Sequence, residues 1–379
     1  MSDNKVVAPE LSVLRGRHSS KWRRFAPDVL PMHVAEMDFQ IAEPIAARII
    51  KMTTENDLGY LGPVPEVGAA FASFAQKRWG WSVRPQFLHL ATDVGVATVE
   101  FLRTHMKPGD RVIVNSPVYN GFFHWLEELN IEPFDVPLIR GEQEYTLDLE
   151  GIEKAFASGV RFLLLCNPHN PVGRAFRRDE LTTLAALARK YDAIVISDEI
   201  HAPLTYGEFV PYLSCGEDAA LTGVCITSSS KSWNLAGLKV AFILAQSPEM
   251  EAKLKALPEA MHWRSSIVGA FAMAEAFENG VTWLDSAVAT LDENRHHLKS
   301  ELARLLPNVS MQLPEAGYLA WLDISELGLS NEEIFSKAKV ALVPGPDMGG
   351  AAYENFARFN FATSKEIISE ALERIQRAL

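Results

Sequence analysis

From about Phe87 to Ala245 the chain repeats one pattern: a short, nearly unbroken apolar run, a longer stretch with helical spacing, then another apolar run. The runs are "RVIVN" from Arg111, "RFLLLC" from Arg161, "AIVISD" from Ala193, "GVCITS" from Gly223 and "VAFILA" from Val240. Near-continuous hydrophobicity, in place of strict alternation, is what a strand carries when both of its faces are covered. That situation arises in a mostly parallel sheet whose strands are joined by helical crossovers. Between two of the runs, "DELTTLAALARKY" sets Leu181, Leu184, Leu187 and Ala188 on one helical face, with Asp179 and Glu180 at the end where a helix favours negative charge. The pattern predicts an α/β unit.

Beyond Glu275 the texture changes. A long amphipathic stretch, "SAVATLDENRHHLKSELARLL", precedes three further strand candidates, "YLAWLDI", "VALVPG" and "ARFNFAT", which read as a smaller α+β domain. A chain of 379 residues with 48% hydrophobic content suffices for two domains. The expected division is a large domain over 51–280 and a small one made from 1–50 and 281–379, the first 50 residues being loop-rich and packed against the small domain.

Acidic residues outnumber basic ones, 48 to 36, for a formal charge of −12. That balance opposes attraction to phosphates and anionic lipid, so neither nucleic acid nor a membrane is an expected partner. Cys166, Cys215 and Cys225 are odd in number and lack metal or redox spacing, and the opening "MSDNKVVAPELSV" has no basic segment followed by an apolar one. A reducing, cytoplasmic setting is expected.

In an open parallel sheet, ligands bind beyond the carboxyl ends of the strands. Tyr119 follows the first run, Asn170 the second, Asp198 and His201 the third, and Ser228, Ser230 and Lys231 the fourth. Each has a bland reading alone: a packed aromatic, a turn amide, a helix cap, a core imidazole, a solvated lysine. Together at one sheet edge they supply an amine, a carboxylate, an amide and an aromatic plate. Pyridoxal 5′-phosphate chemistry uses that set: a lysine forms a Schiff base, and a carboxylate keeps the pyridine nitrogen protonated as an electron sink. Tyr119 is then the ring's stacking partner and Asn170 a donor to its phenolic oxygen. Ser228, Ser230, Lys239 and amides at a helix start serve the phosphate. A metal site from His201, Asp198 and Glu199 finds no second histidine motif, and no metal is expected.

The segments "NPHNPVGR", "SDEIHAPL" and "SSSKSWNLAGLK" make the chain resemble the fold-type-I pyridoxal phosphate enzymes of the class I/II aminotransferase superfamily. "MHVAEMDFQIAEPI" and "GYLAWLDI" resemble its cystathionine β-lyase and C–S lyase group. The resemblance runs through most of the chain. It implies the fold-type-I architecture, with Lys231 as Schiff-base lysine and proton shuttle and Asp198 as partner of the pyridine nitrogen. It also implies His201 near the ring oxygen, where aminotransferases carry a tyrosine, and Arg358 in "ENFARFNFAT" as the fork for the substrate α-carboxylate. Asp38 falls among the implied substrate-binding residues. Tyr60, in "LGYLG", is similar to a tyrosine of such enzymes that reaches the neighbouring subunit's phosphate, which implies a homodimer, and Tyr60 is also a candidate acid. "ATDVGVAT" departs from the group's usual turn, because Asp93 puts a carboxylate where the phosphate belongs. Contacts from the backbone of Val94 and Gly95 require that carboxylate to turn away. The implied activity is α,β-elimination of cystathionine or related cysteine S-conjugates, with an aminotransferase, or a noncatalytic cofactor-binding regulator, as the alternatives.

Overall fold

In the computed structural model, which describes residues 5–379, the apolar runs become the middle of a seven-stranded sheet. Met1–Asn4, the first part of the opening segment, lie outside the described residues. Across the sheet the order is Leu88–Ala91, Ala241–Leu244, Gly223–Thr227, Ile194–Asp198, Phe162–Cys166, Arg111–Val114 and Glu132–Asp135. Only Ala241–Leu244 runs against the rest: it is antiparallel to both neighbours, whereas the other pairings are parallel. The sheet is therefore mixed.

Two strands go beyond the expected set. Leu88–Ala91 is short and contains His89, and Glu132–Asp135 is a polar edge strand holding Pro133, so neither carries a long apolar signal. Proline is tolerated there because an edge strand has a side that makes no ladder bonds.

Successive residues of each central strand face opposite layers, as the two-residue period requires. Val112, Val114, Leu164, Ile196, Val224 and Ile226 pack with Ala97, Phe101, Phe122 and Leu126 on one face. Ile113, Leu163, Leu165, Val195 and Cys225 pack on the other with Leu181, Leu184 and Ala188 of the helix Arg178–Lys190. Burying each large aliphatic side chain contributes roughly 1.5–3 kcal/mol, so these two layers dominate the stability of the sheet. They leave its carboxyl edge to be shaped by loops.

The helix Val281–Leu305 buries Leu284, Ala287, Leu291, Leu298, Leu302 and Leu305, the spacing of a single apolar stripe. Asn294 sits within that stripe and is satisfied by donating to the carbonyls of Phe361 (3.0 Å) and Thr363 (2.7 Å). A second, antiparallel sheet contains Ser310–Met311, Leu319–Asp323, Phe356–Asn360 and Val343–Pro344. The segment "VALVPG" splits: Val343–Pro344 joins that sheet, while Val340–Ala341 pairs in parallel with Leu30–Pro31. The early segment is less loop-rich than expected, since Glu43–Thr54 is a helix with proline in its first turn, where the missing N–H costs nothing.

Candidate active site

Asp198 ends the strand Ile194–Asp198, level with Cys166 on one side and Ile226 on the other. Its carboxylate accepts the Ile200 N–H at 3.1 Å. Burial raises its pKa to about 6, opposed by that hydrogen bond and by the charge of Lys231. A buried carboxylate held this way favours a cation beside it.

Lys231 stands in the single helical turn Ser229–Ser232, capped by Ser228, whose hydroxyl accepts the Ser230 N–H (3.0 Å) and donates to the Val240 carbonyl (2.7 Å). The ammonium donates to the carbonyl of Ala35 at 2.9 Å. Burial first, then the charge of Arg358, pull its pKa down to about 8, against Asp198 and Glu36.

Arg358 lies in the strand Phe356–Asn360, opposite Trp321 and Val343. It is buried, and its fork donates to Asn170 Oδ1 (3.2 Å) and to the His33 carbonyl (2.9 Å), with Nε left without a partner. Among the described residues no carboxylate lies within ion-pair distance of it. Burial lowers even this guanidinium to about 10. Because Asn170 gives its carbonyl oxygen to Arg358, its amide keeps two N–H donors for a ligand oxygen.

His201 follows Asp198 by one short turn. Its ring meets Tyr318 edge-on at 5.8 Å, Nδ1 is buried without a partner, and burial with the charges of Lys231 and Arg358 pushes its pKa down to about 3. The imidazole is neutral, and its orphaned nitrogen fits a ligand oxygen. Tyr119 is held edge-on by Trp125 (5.8 Å) and Phe122 (6.2 Å). Gly121 is required here, because a Cβ at that position would strike the Tyr119 ring.

Asp93 resolves its own conflict. One carboxylate oxygen caps the helix Val94–His105 by accepting the Val96 N–H (2.8 Å), and the other pairs with Lys239 at 2.7 Å. The carboxylate is thus turned to the helix and to a cation, and the Val94 and Gly95 N–H groups, first in the helix, have no intrahelical acceptor. Free N–H groups at a helix start suit an anion. Ser228 differs from expectation, because its one proton goes to Val240 and its role in this structure is to shape the loop.

Asp38 is a correction. Its side chain is 1% exposed, and its two oxygens accept from Lys21 (2.8 Å) and Trp22 (2.8 Å), so the carboxylate is paired and sealed inside the fold, out of a substrate's reach. It anchors the early segment instead. Tyr60 is not brought to the other residues within this chain; it is 93% exposed in the loop before the helix Pro65–Trp79. Sequence reasoning also missed contributors. Ala35 and His33 act through backbone carbonyls, which leave no residue-type trace, and Tyr318 stood inside the recognised "GYLAWLDI" without a role. Glu199, next to Asp198, faces inward to Ser197 (3.0 Å) and the Tyr212 N–H (2.8 Å).

A family model described as "Aminotransferase class I and II" matches residues 27–375. The chain is 35% identical over 382 residues to cystathionine β-lyase of Corynebacterium glutamicum, covering 98% of this chain and 99% of that protein. It is 33% identical to cystathionine β-lyase PatB of Bacillus subtilis, covering 96% and 97%. Among solved structures, cystalysin of Treponema denticola, which contains pyridoxal 5′-phosphate, superposes with a TM-score of 0.90 at 28% identity, covering 96% of each chain.

Proposed function

The chain belongs to the class I and II aminotransferase family, and from that membership we propose that it is a pyridoxal 5′-phosphate-dependent carbon–sulfur lyase. Its substrates are L-cystathionine and related cysteine S-conjugates, split by α,β-elimination into homocysteine or another thiol, pyruvate and ammonia. Relatives named cystathionine β-lyase, similar across nearly the whole chain, support the lyase over a transferase. The observation that carries an amino-acid substrate is Arg358, a buried cation with only neutral partners.

The residues present suit the cofactor: an orphaned imidazole nitrogen, a free amide donor, a buried carboxylate and unpaired helix-start N–H groups. When bound, pyridoxal phosphate supplies a sink for the electron pair left at the substrate Cα. Asp198 holds the proton on the pyridine nitrogen, Asn170 and His201 take the ring oxygen, and Tyr119 covers the ring. Val94, Gly95, Ser230 and Lys239 hold the phosphate, with Lys239 shared with Asp93. Lys231 would hold the cofactor through its amine and would serve as the base for the Cα proton; an amine near pKa 8 is partly neutral at ordinary pH and suits that task. Arg358 takes the α-carboxylate through its fork. Lys231 and Tyr60 are the acids available to the departing sulfur.

The same reading includes a homodimer, in which Tyr60, 93% exposed here, enters the site of a second copy. It includes a large unit over 51–280 and a small one from 1–50 and 281–379, supported by the two separate sheets. It also includes a cytoplasmic setting, with which three free, buried cysteines agree. Among the described residues no helix is long and apolar enough to cross a membrane.

The test supplies cystathionine with no keto-acid acceptor. Sustained release of homocysteine and pyruvate is expected; a single turnover that resumes only when a keto acid is added identifies an aminotransferase.

A further inference from the structure

Five consecutive backbone carbonyls, from His33 to Met37, accept hydrogen bonds from side chains gathered around the site. His33 is held by Arg358 (2.9 Å), Val34 and Glu36 by Asn360 (2.6 and 2.8 Å), and Glu36 also by Lys21 (3.3 Å). Met37 is clasped by Asn234, which accepts from its N–H (2.9 Å) and donates to its carbonyl (2.8 Å). In the middle, the Ala35 carbonyl accepts from two donors at once, Lys231 Nζ at 2.9 Å and the Tyr318 hydroxyl at 3.0 Å.

Those two donors differ in kind. Tyr318 is fully buried just before the strand Leu319–Asp323, its ring braced edge-on against His201, and burial raises its pKa so that it stays a neutral O–H donor. Lys231 is a flexible four-carbon stem whose nitrogen must alternate between a covalent and a free state. A carbonyl has two lone pairs. With one permanently occupied by a rigid phenol, and the peptide fixed on both sides by Asn360 and Asn234, the other lone pair points in one direction only.

We infer that Tyr318 is a positioning residue for Lys231: by holding the Ala35 carbonyl in place it fixes the station to which the free ε-amine returns. This rests on the reading of Lys231 as the cofactor lysine. The consequence is kinetic, because an amine parked at one point is within reach of the carbon it attacks, while an unparked amine must search for it.

Tyr318→Phe removes the O–H and keeps the ring. The measured step is covalent capture of pyridoxal phosphate by the cofactor-free variant, in which the Lys231 nitrogen attacks the aldehyde carbon, C=N replaces C=O and the oxygen leaves as water. Capture should slow on the order of tenfold, with kcat falling by a similar factor and KM for cystathionine unchanged, since Arg358 is untouched. Affinity for pyridoxine 5′-phosphate, which has no aldehyde, should stay within about twofold of wild type, which a general loosening of the pocket would not permit. Unchanged capture, or an equal loss of pyridoxine phosphate affinity, overturns the inference. If wild type captures the cofactor at another lysine, the reading of Lys231 fails instead. Should Tyr318→Phe not fold, a crystal structure of cofactor-free wild type decides: Nζ on the Ala35 carbonyl supports the station, and Nζ elsewhere refutes it.

Discussion

Arg174 and Arg358 are buried to nearly the same depth, 3% and 5% exposed, but their surroundings are opposites. Arg174 lies within 4 Å of three glutamates, Glu180 and Glu315 at 2.9 Å and Glu144 at 3.5 Å, and also donates to the Tyr145 carbonyl. Arg358 reaches only an amide oxygen and a backbone carbonyl. The lysines repeat the contrast: Lys21, 1% exposed, pairs with Asp38, whereas Lys231 donates to the Ala35 carbonyl. Taking a cation out of water costs several kcal/mol unless an anion accompanies it. Arg174 carries its anions within the fold and ties the first turn of the helix Arg178–Lys190, through Glu180, to the segments at Glu144 and Glu315. Arg358 and Lys231 have no carboxylate within ion-pair distance among the described residues, although the charges of Asp198 and Glu36 still act on Lys231 and that of Asp347 on Arg358; a substrate α-carboxylate would give Arg358 the contact it lacks.

Substitutions that exchange these roles should separate cleanly. Lys231→Ala should abolish covalent cofactor attachment, seen by borohydride reduction and peptide mapping, and lower turnover by about 10⁴-fold or more. Lys21→Ala should lower thermal stability and leave the attachment in place. Asp198→Asn keeps the shape and removes the charge that holds the pyridine nitrogen protonated, so kcat should fall on the order of 10³-fold. Near-native turnover there would remove Asp198 from the account.

The arginine pair gives a smaller and more diagnostic split. Arg358→Met should raise KM for cystathionine roughly 10- to 100-fold, the equivalent of about 1.5–3 kcal/mol, without lowering the melting temperature. Arg174→Met should leave KM alone and cost about 2–4 kcal/mol of stability, a figure reduced from that of a fully buried network because Glu144 and Glu315 are partly exposed. If both variants lost stability and neither changed KM, the contrast would be wrong.

The smallest effect is on pH dependence. In the cofactor-free protein the pKa of Lys231 is lowered to about 8, below its ordinary value of 10.5 in the unfolded chain. Between those values the unfolded chain binds more protons, so stability rises with pH across that window and the penalty is fully present below it. Relative to Lys231→Met, wild type should gain about 1–2 kcal/mol from pH 8 to 10.5, followed by denaturant unfolding at each pH.

The sequence made much of this site legible, for a physical reason. Buried parallel strands must be apolar along their length, so Asp198, Asn170 and the loop of Lys231 stand out where polarity resumes. Arg358 is different: it sits inside a strand of the second sheet, and its role was read from resemblance. The direction of Ala241–Leu244 could not be read, because a central strand is apolar whichever way it runs. Nor could the Ala35 carbonyl, since every residue has one. Asp93 looked like a threat to the phosphate because its N-cap bond to Val96 and its pairing with Lys239, 146 residues away, depend on the folded chain. Asp38 was misassigned for the same reason: a motif position says nothing about whether Lys21 and Trp22 already occupy the carboxylate.

The central claim, that Arg358 is buried without an anion in order to receive one, is tested most directly with two amines that differ only in that group. Alanine and ethylamine can be titrated into the cofactor-loaded wild type and into Arg358→Ala, with binding followed by the change in cofactor absorbance. Wild type should prefer alanine by on the order of 10- to 100-fold, and the preference should fall to within about threefold in the variant. A preference for alanine that survives intact in Arg358→Ala would contradict the account.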